Sequence, residues 1–230
     1  MEQVYSNTRT CLIIRFTLVA LLLINPVRLH AQSEVETARN YVAATIEQQK
    51  LTPADVNGLL LSSAYRSPTT GWFHVYFNQS YQSVEVYNRL MNVVLVDKQV
   101  VSLNHNFISS IDLIPRVGAF KGKITPLEAL QKAVANVGIG LSSANLLETK
   151  ALTTASLTDG TITQSTYLLP ALSDEKIDVK LYWLPVETDQ KGQKILDKLS
   201  LTWNVRFLTK DAKNGWNIHV DALSGRYSGK

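Results

Sequence analysis

Apolar side chains recur at helical spacing in two stretches of this chain and alternate with polar ones over much of the rest. The first stripe is Val35, Ala38, Val42 and Ile46, one face of a helix predicted from Glu34 to Gln49. Ser33 stands at its N-cap, and Glu34 and Glu36 lie at the positive end of its dipole. Thr52-Pro53-Ala54-Asp55 sets a capping threonine before a first-turn proline and an early acid, which predicts a second short helix towards Leu60. The other stripe is Leu127, Leu130, Val134 and Val137. Thr125-Pro126-Leu127-Glu128 opens it with a capping threonine, proline at the first helical position and glutamate three residues after the cap, and Gly138 suits its left-handed stop.

After a loop at Arg66 to Gly71 the period falls to two, with aromatic and β-branched residues between short turns. Strands are predicted from Trp72 to Gln79, Val84 to Asn88, Met91 to Val96 and Val100 to Phe107, with a tight reversal at Asp97-Lys98-Gln99. Val93 to Val96 is apolar on both faces, which predicts a central strand covered on each side. Alternation returns at Val179 to Val186, Lys198 to Leu208, Gly215 to Ala222 and Gly225 to Ser228, with a turn cluster from Lys210 to Gly215. Residues 141–177, rich in Ser and Thr, admit short strands or a long excursion. Pro115 to Lys123 holds two glycines, a proline and three basic residues and reads as a linker. Segregated helices and antiparallel strands predict an α+β protein of two small subdomains, residues 32–114 and 124–230, each a helix plus an antiparallel sheet, joined by residues 115–123.

Charge and rare residues narrow the chemistry. Among 230 residues, 23 Lys and Arg against 19 Asp and Glu give +4 with no basic run, which is poor support for a nucleic-acid partner. The single cysteine, Cys11, excludes an internal disulfide and a thiolate metal cluster. His30, His74, His105 and His219 stand at no metal-gripping helical spacing. Arg9 and Arg15 precede the short apolar run Phe16 to Ile24, followed by Pro26 and a small residue at Ala31, which is the layout of a signal peptide over residues 1–31. That run is well short of the roughly 20 apolar residues of a spanning helix, so export without a permanent membrane anchor is expected, to a periplasm or to the medium.

No glycine-rich phosphate loop, nucleophile elbow or His-Glu-x-x-His motif occurs, and the carboxylates are scattered. His74, His105 and His219 sit in strand-like surroundings and read first as structural, hydrogen-bonded histidines. Asn78-Gln79-Ser80 matches a glycosylation sequon at an expected strand end. The aromatics Trp72, Phe73, Tyr76, Phe77, Tyr81 and Tyr87 are expected mostly in sheet core, with a recognition surface as the alternative.

His74-Val75-Tyr76-Phe77-Asn78-Gln79, then Val84-Glu85-Val86-Tyr87-Asn88, then Val100-Val101-Ser102-Leu103-Asn104 resemble the fungalysin/thermolysin propeptide (FTP) motif in order and spacing. Upstream, Leu51 to Asp55 and the loop at Tyr65-Arg66-Ser67 resemble its lead-in. Downstream, Ile124 to Leu130 resembles the helix that follows in fungalysin proregions. Trp203-Asn204-Val205 and Trp216 to Arg226, with its Val220-Asp221-Ala222 and Gly225 turn, resemble closing PepSY-like strands. The resemblance spans Val35 to Tyr227 and implies FTP-like then PepSY-like subdomains of a secreted zymogen's noncatalytic proregion. Its partner would be a zinc metallopeptidase catalytic domain, which it helps to fold and keeps inactive. Zinc would belong to that domain, which continues in the family beyond a position matching Lys230, and this chain would need no cofactor of its own. The same resemblance marks His74, Val75, Tyr76, Gln79, Val86 and Asn88 as motif and possible partner-contact residues, and Thr125, Glu128, Asp221 and Gly225 as structural ones. The alternative is a free-standing FTP/PepSY-type module that binds or inhibits other proteins.

Overall fold

The computed structural model describes residues 26–117 and 124–227. Helix α1 (Pro26–Ala44) begins upstream of the expected cap and lays Ala38 and Val42 against the sheet. Helix α2 (Pro53–Val56) is a single turn. Four strands follow: β1 (Leu60–Arg66), β2 (Phe73–Tyr81), β3 (Val84–Val96) and β4 (Gln99–His105). A 3-10 turn (Ile111–Leu113) leads to the short β5 (Arg116–Val117). Helices α3 (Pro126–Asn136) and α4 (Ser143–Leu147) precede β6 (Lys150–Ser156), β7 (Ile162–Leu168), β8 (Ile177–Gln190), β9 (Gln193–Leu208) and β10 (Gly215–Asp221). Cys11 and most of the expected signal segment lie outside the described residues, as do residues 118–123 of the expected linker. The linker's first part is not a spacer, since β5 pairs in parallel with Leu199 and Ser200 of β9.

The expectation of two small α+β subdomains is corrected here. Among the described residues ten strands join in one mixed sheet and helices are a minor part. Two local facts explain the error. The weakly periodic residues 141–177 supply two further strands, β6 and β7, and β1 fills the stretch between the expected short helix and the loop at Arg66, where no strand is predicted. The strands expected separately at Val84 to Asn88 and Met91 to Val96 are one strand, β3. Asn88 adopts φ 55°, a left-handed conformation that asparagine tolerates better than most residues. At that point Val86 to Arg89 lie opposite Gln79 alone, between the pairs Asn78–Leu90 and Ser80–Glu85. The bulged stretch turns from β2 to β8, where Val86 pairs in parallel with Trp183. Asn106 bridges the gap, accepting from Leu90 N at 2.7 Å and donating to Asn88 O at 2.9 Å.

β3 therefore runs through both hydrophobic cores. Met91, Val93 and Leu95 pack with Phe73, Val75, Phe77 and α1. Val84 and Val86 pack with Leu130 and Val134 of α3, Leu181, Trp183, Leu201 and Trp203. The two buried indoles are satisfied, Trp183 Nε1 donating to Tyr81 O at 3.0 Å and Trp203 Nε1 to Ile124 O at 3.2 Å. Both cores lie on the same side of β3, with α1 and α3. The opposite side of the sheet is uncovered by any helix among the described residues, so Val94 and Val96 are half-buried and not enclosed as expected.

Candidate functional site

The uncovered face starts as an aromatic strip on β1 and β2. Register places Tyr65 beside His74 and Val94, and Ser63 beside Tyr76, Asn92 and Asn104. The rings of Tyr65 and His74 lie 5.3 Å apart and 17° from parallel, with Tyr76 6.1 Å from Tyr65 and 6.4 Å from His74. The Tyr65 side chain, hydrogen-bonded to Tyr76, pushes the Tyr76 phenol up from its ordinary value. Two polar atoms of this strip, His74 Nδ1 and Asn92 Oδ1, are buried without a hydrogen-bond partner.

Towards the C-terminal strands the face becomes a charged and then a neutral polar network. Asn78 donates to Glu85 Oε1 at 2.7 Å, and Glu85 pairs with Lys180, whose ammonium lies 5.0 Å from the Tyr182 ring. Burial pulls the Lys180 pKa down, but the Glu85 carboxylate and Tyr182 outweigh it and leave the group raised. Tyr87 stands edge-on to Tyr182 at 5.4 Å and to His219 at 4.3 Å, and its hydroxyl accepts from Asn217 Nδ2 at 2.8 Å. Tyr87 thus reaches from β3 to side chains of β8 and β10, and Thr202 and Asn204 on the intervening β9 are both buried. His219 Nδ1 lies 3.4 Å from Thr202 Oγ1 and Nε2 lies 3.3 Å from Asn204 Nδ2. Burial pushes the His219 imidazole down to about 4. A groove of about 940 Å³ opens beside this cluster, walled by Leu184, Pro185 and Glu187 of β8, Lys198 and Ser200 of β9, and Asp221.

Ser200, His219 and Asp221 share this face yet form no nucleophilic triad. Ser200 Oγ donates to Asp221 Oδ2 at 3.4 Å, while both His219 nitrogens face Thr202 and Asn204. Asp221 Oδ1 accepts from Leu223 N, Ser224 N and Ser224 Oγ, which builds the closing turn, and Gly225 completes it at φ 70° with its N–H on Asp221 O. Among the described residues, no three His, Cys, Asp or Glu side chains gather as a metal site, and no helix is long and apolar enough to cross a membrane.

The marked motif residues divide by burial. His74 and Tyr76 reach the uncovered face, whereas Val75 and Val86 are fully buried in the two cores. Gln79 is also fully buried and offers nothing to a partner. Its amide pairs both ways with the Ile108 backbone, donating to the carbonyl at 2.8 Å and accepting from the N–H at 2.9 Å. This bond stands beside a second anchor, the buried Asp55 carboxylate, which accepts from Thr52 N, Ser110 N and Ile111 N at 2.7, 2.9 and 2.7 Å. Asn88 is exposed and serves the bulge described above. Thr125 and Glu128 form a reciprocal capping box on α3, and the Thr125 backbone and hydroxyl hold the Glu128 carboxyl below its ordinary value. Sequence reasoning missed Tyr65, Lys180, Tyr182, Asn204 and Asn217 as parts of one face. The signal existed as polar residues two apart on β8, β9 and β10, but alternation does not say which strands are neighbours.

No protein-family model matches this chain, and no curated protein matches its sequence.

Proposed function

We propose that this chain is an exported, noncatalytic proregion-type module that binds a zinc metallopeptidase catalytic domain, assists its folding and holds it inactive. The observation that supports this best is the position of His74 and Tyr76. These two residues of the FTP-like motif stack with Tyr65 on the sheet face that no described helix covers, beside two buried polar atoms that lack partners. Aromatic side chains with little rotamer freedom are frequent anchors of protein interfaces. A module that binds the native peptidase and not its unfolded chain stabilises it by about 2.7 kcal/mol at a free concentration of 100 Kd. The catalytic zinc would reside in the partner.

The test adds the purified chain to a refolding fungalysin-type catalytic domain and measures both recovered peptidase activity and inhibition of the folded enzyme. More refolded enzyme and saturable inhibition are expected. His74→Ala with Tyr76→Ala should weaken both at least tenfold while leaving the chain's far-UV dichroism unchanged. Absence of both effects with the wild-type chain would overturn the reading.

A further inference from the structure

A neutral imidazole has one donor and one acceptor nitrogen, and its surroundings decide which is which. The amide nitrogen of Asn204 can only donate, so His219 Nε2, 3.3 Å away, accepts. Nδ1 then carries the hydrogen and donates to Thr202 Oγ1 at 3.4 Å. The second hydrogen of the Asn204 amide goes to Asn217 Oδ1, and Asn217 Nδ2 donates to the Tyr87 hydroxyl. Since Tyr87 accepts in this arrangement, its own hydrogen is left for whatever enters the groove, which Tyr87 and Asn217 both line.

A proton at His219 Nε2 would set donor against donor. Half a turn of the Asn204 amide removes the clash by bringing Oδ1 to Nε2–H, but that oxygen then meets Asn217 Oδ1. Half a turn of the Asn217 amide resolves this in the same way. Asn217 Nδ2 now donates to Asn204 Oδ1, and Asn217 Oδ1 requires the Tyr87 hydrogen. Each member has a partner in both settings, and the polarity of the row is opposite. We propose that His219, Asn204, Asn217 and Tyr87 form a proton-operated relay from β10 to β3, in which a proton taken from solvent turns both amides. The Tyr87 hydroxyl thereby changes from a donor towards the groove to an acceptor towards it. A groove ligand bearing a carbonyl or carboxylate would be favoured in the neutral setting and a hydroxyl or amine donor in the acid one.

The surrounding charges leave the imidazolium uncompensated. Glu85 on β3 and Lys180 on β8 are paired with each other, and Arg89 on β3 is paired with Glu187. Asp221 on β10 is engaged in its turn and by Ser200, Lys198 and Arg206 on β9 are cations, and burial pushes the Tyr182 phenol up from its ordinary value. Burial without a counter-charge accords with titration near pH 4, so the neutral setting persists through mild acid. The relay does not depend on the proregion reading.

Nuclear magnetic resonance of the full chain, with histidine nitrogens and tyrosine ring carbons labelled, tests it. The Nδ1–H tautomer is expected for His219 at neutral pH, and the Tyr87 Cζ shift should step with the His219 midpoint. In Asn217→Leu, His219 should still titrate while the Tyr87 Cζ step shrinks to the small shift that the adjacent imidazolium charge causes through the 4.3 Å ring contact. In Asn204→Asp, an acceptor fixed at Nε2 should raise the midpoint by one unit or more, into a range where the fold is retained. An Nε2–H tautomer in the wild type, a Tyr87 that ignores His219, or loss of near-ultraviolet dichroism before the Tyr87 step would each overturn the relay.

Discussion

Replacing Asp55 by asparagine preserves the outline of the side chain and removes one of its two acceptor oxygens. The native carboxylate is 1% exposed, with Oδ2 accepting from Thr52 N and Ser110 N and Oδ1 from Ile111 N. The amide does best by keeping its oxygen on the first pair, which turns its NH2 against the buried Ile111 N–H. One buried donor without an acceptor costs about 1–3 kcal/mol. The two remaining bonds change from charge-assisted to neutral, which adds roughly 0.5 kcal/mol each. The total is about 2–4 kcal/mol, a large share of the 5–15 kcal/mol typical of a folded domain. Urea unfolding followed by far-ultraviolet dichroism should show a lower midpoint at unchanged slope. Asp97→Asn, at an exposed turn already in the left-handed region, should stay within about 0.5 kcal/mol of wild type. If Asp55→Asn costs no more than Asp97→Asn, the anchor between α2 and the 3-10 turn does not hold this half of the molecule together.

Three further outcomes follow from the same geometry. Asn88→Val should destabilise by about 1–2 kcal/mol because a β-branched residue resists φ 55°, while Asn88→Gly should be nearly neutral; thermal melts distinguish them. Thr125→Ala removes the acceptor of Glu128 N and should cost about 1 kcal/mol, seen as faster amide exchange in the first turn of α3. For His219 the folded value of about 4 lies below the ordinary 6.5, so the unfolded chain binds the extra proton between them. The stability due to the neutral imidazole is complete above pH 6.5 and is lost as the pH falls to about 4. The full shift corresponds to about 3 kcal/mol, and partial solvent access reduces this to about 2 kcal/mol. His219→Gln should remove that slope between pH 6.5 and 4.5 in denaturant titrations.

What could be read from the sequence was local. The α3 cap was legible because Thr125 and Glu128 bond each other three residues apart, and the Asp97-Lys98 reversal was legible because turn chemistry sits in adjacent residues. Asp55 showed half of its role: its bond to Thr52 is a capping signal, but its bonds to Ser110 and Ile111 cross more than fifty residues. Gln79 is marked as a possible contact residue by its place in the FTP-like motif, whereas its partner is the Ile108 backbone, 29 residues away in sequence. The continuity of β3 was hidden by Asn88, which interrupts alternation where the strand changes neighbours and so made one strand look like two.

The two ends of the uncovered face solve the same physical problem differently. A sheet that buries polar side chains must supply each with a partner or lose about 1–3 kcal/mol per unsatisfied group. At the C-terminal end Tyr87 packs edge-on to His219, and the chain satisfies Thr202, Asn204 and His219 from its own side chains. At the N-terminal end no such side chain arrives, and His74 Nδ1 and Asn92 Oδ1 are buried without a hydrogen-bond partner. A partner whose docking opened this strip and brought a donor to Asn92 Oδ1 would satisfy a group that the free chain leaves unpaired, whereas at the Tyr87 end it would have to break a completed row. Binding energy is therefore more readily gained at the His74 end. The Tyr87 end is better suited to setting the conditions under which a neighbouring groove accepts a ligand.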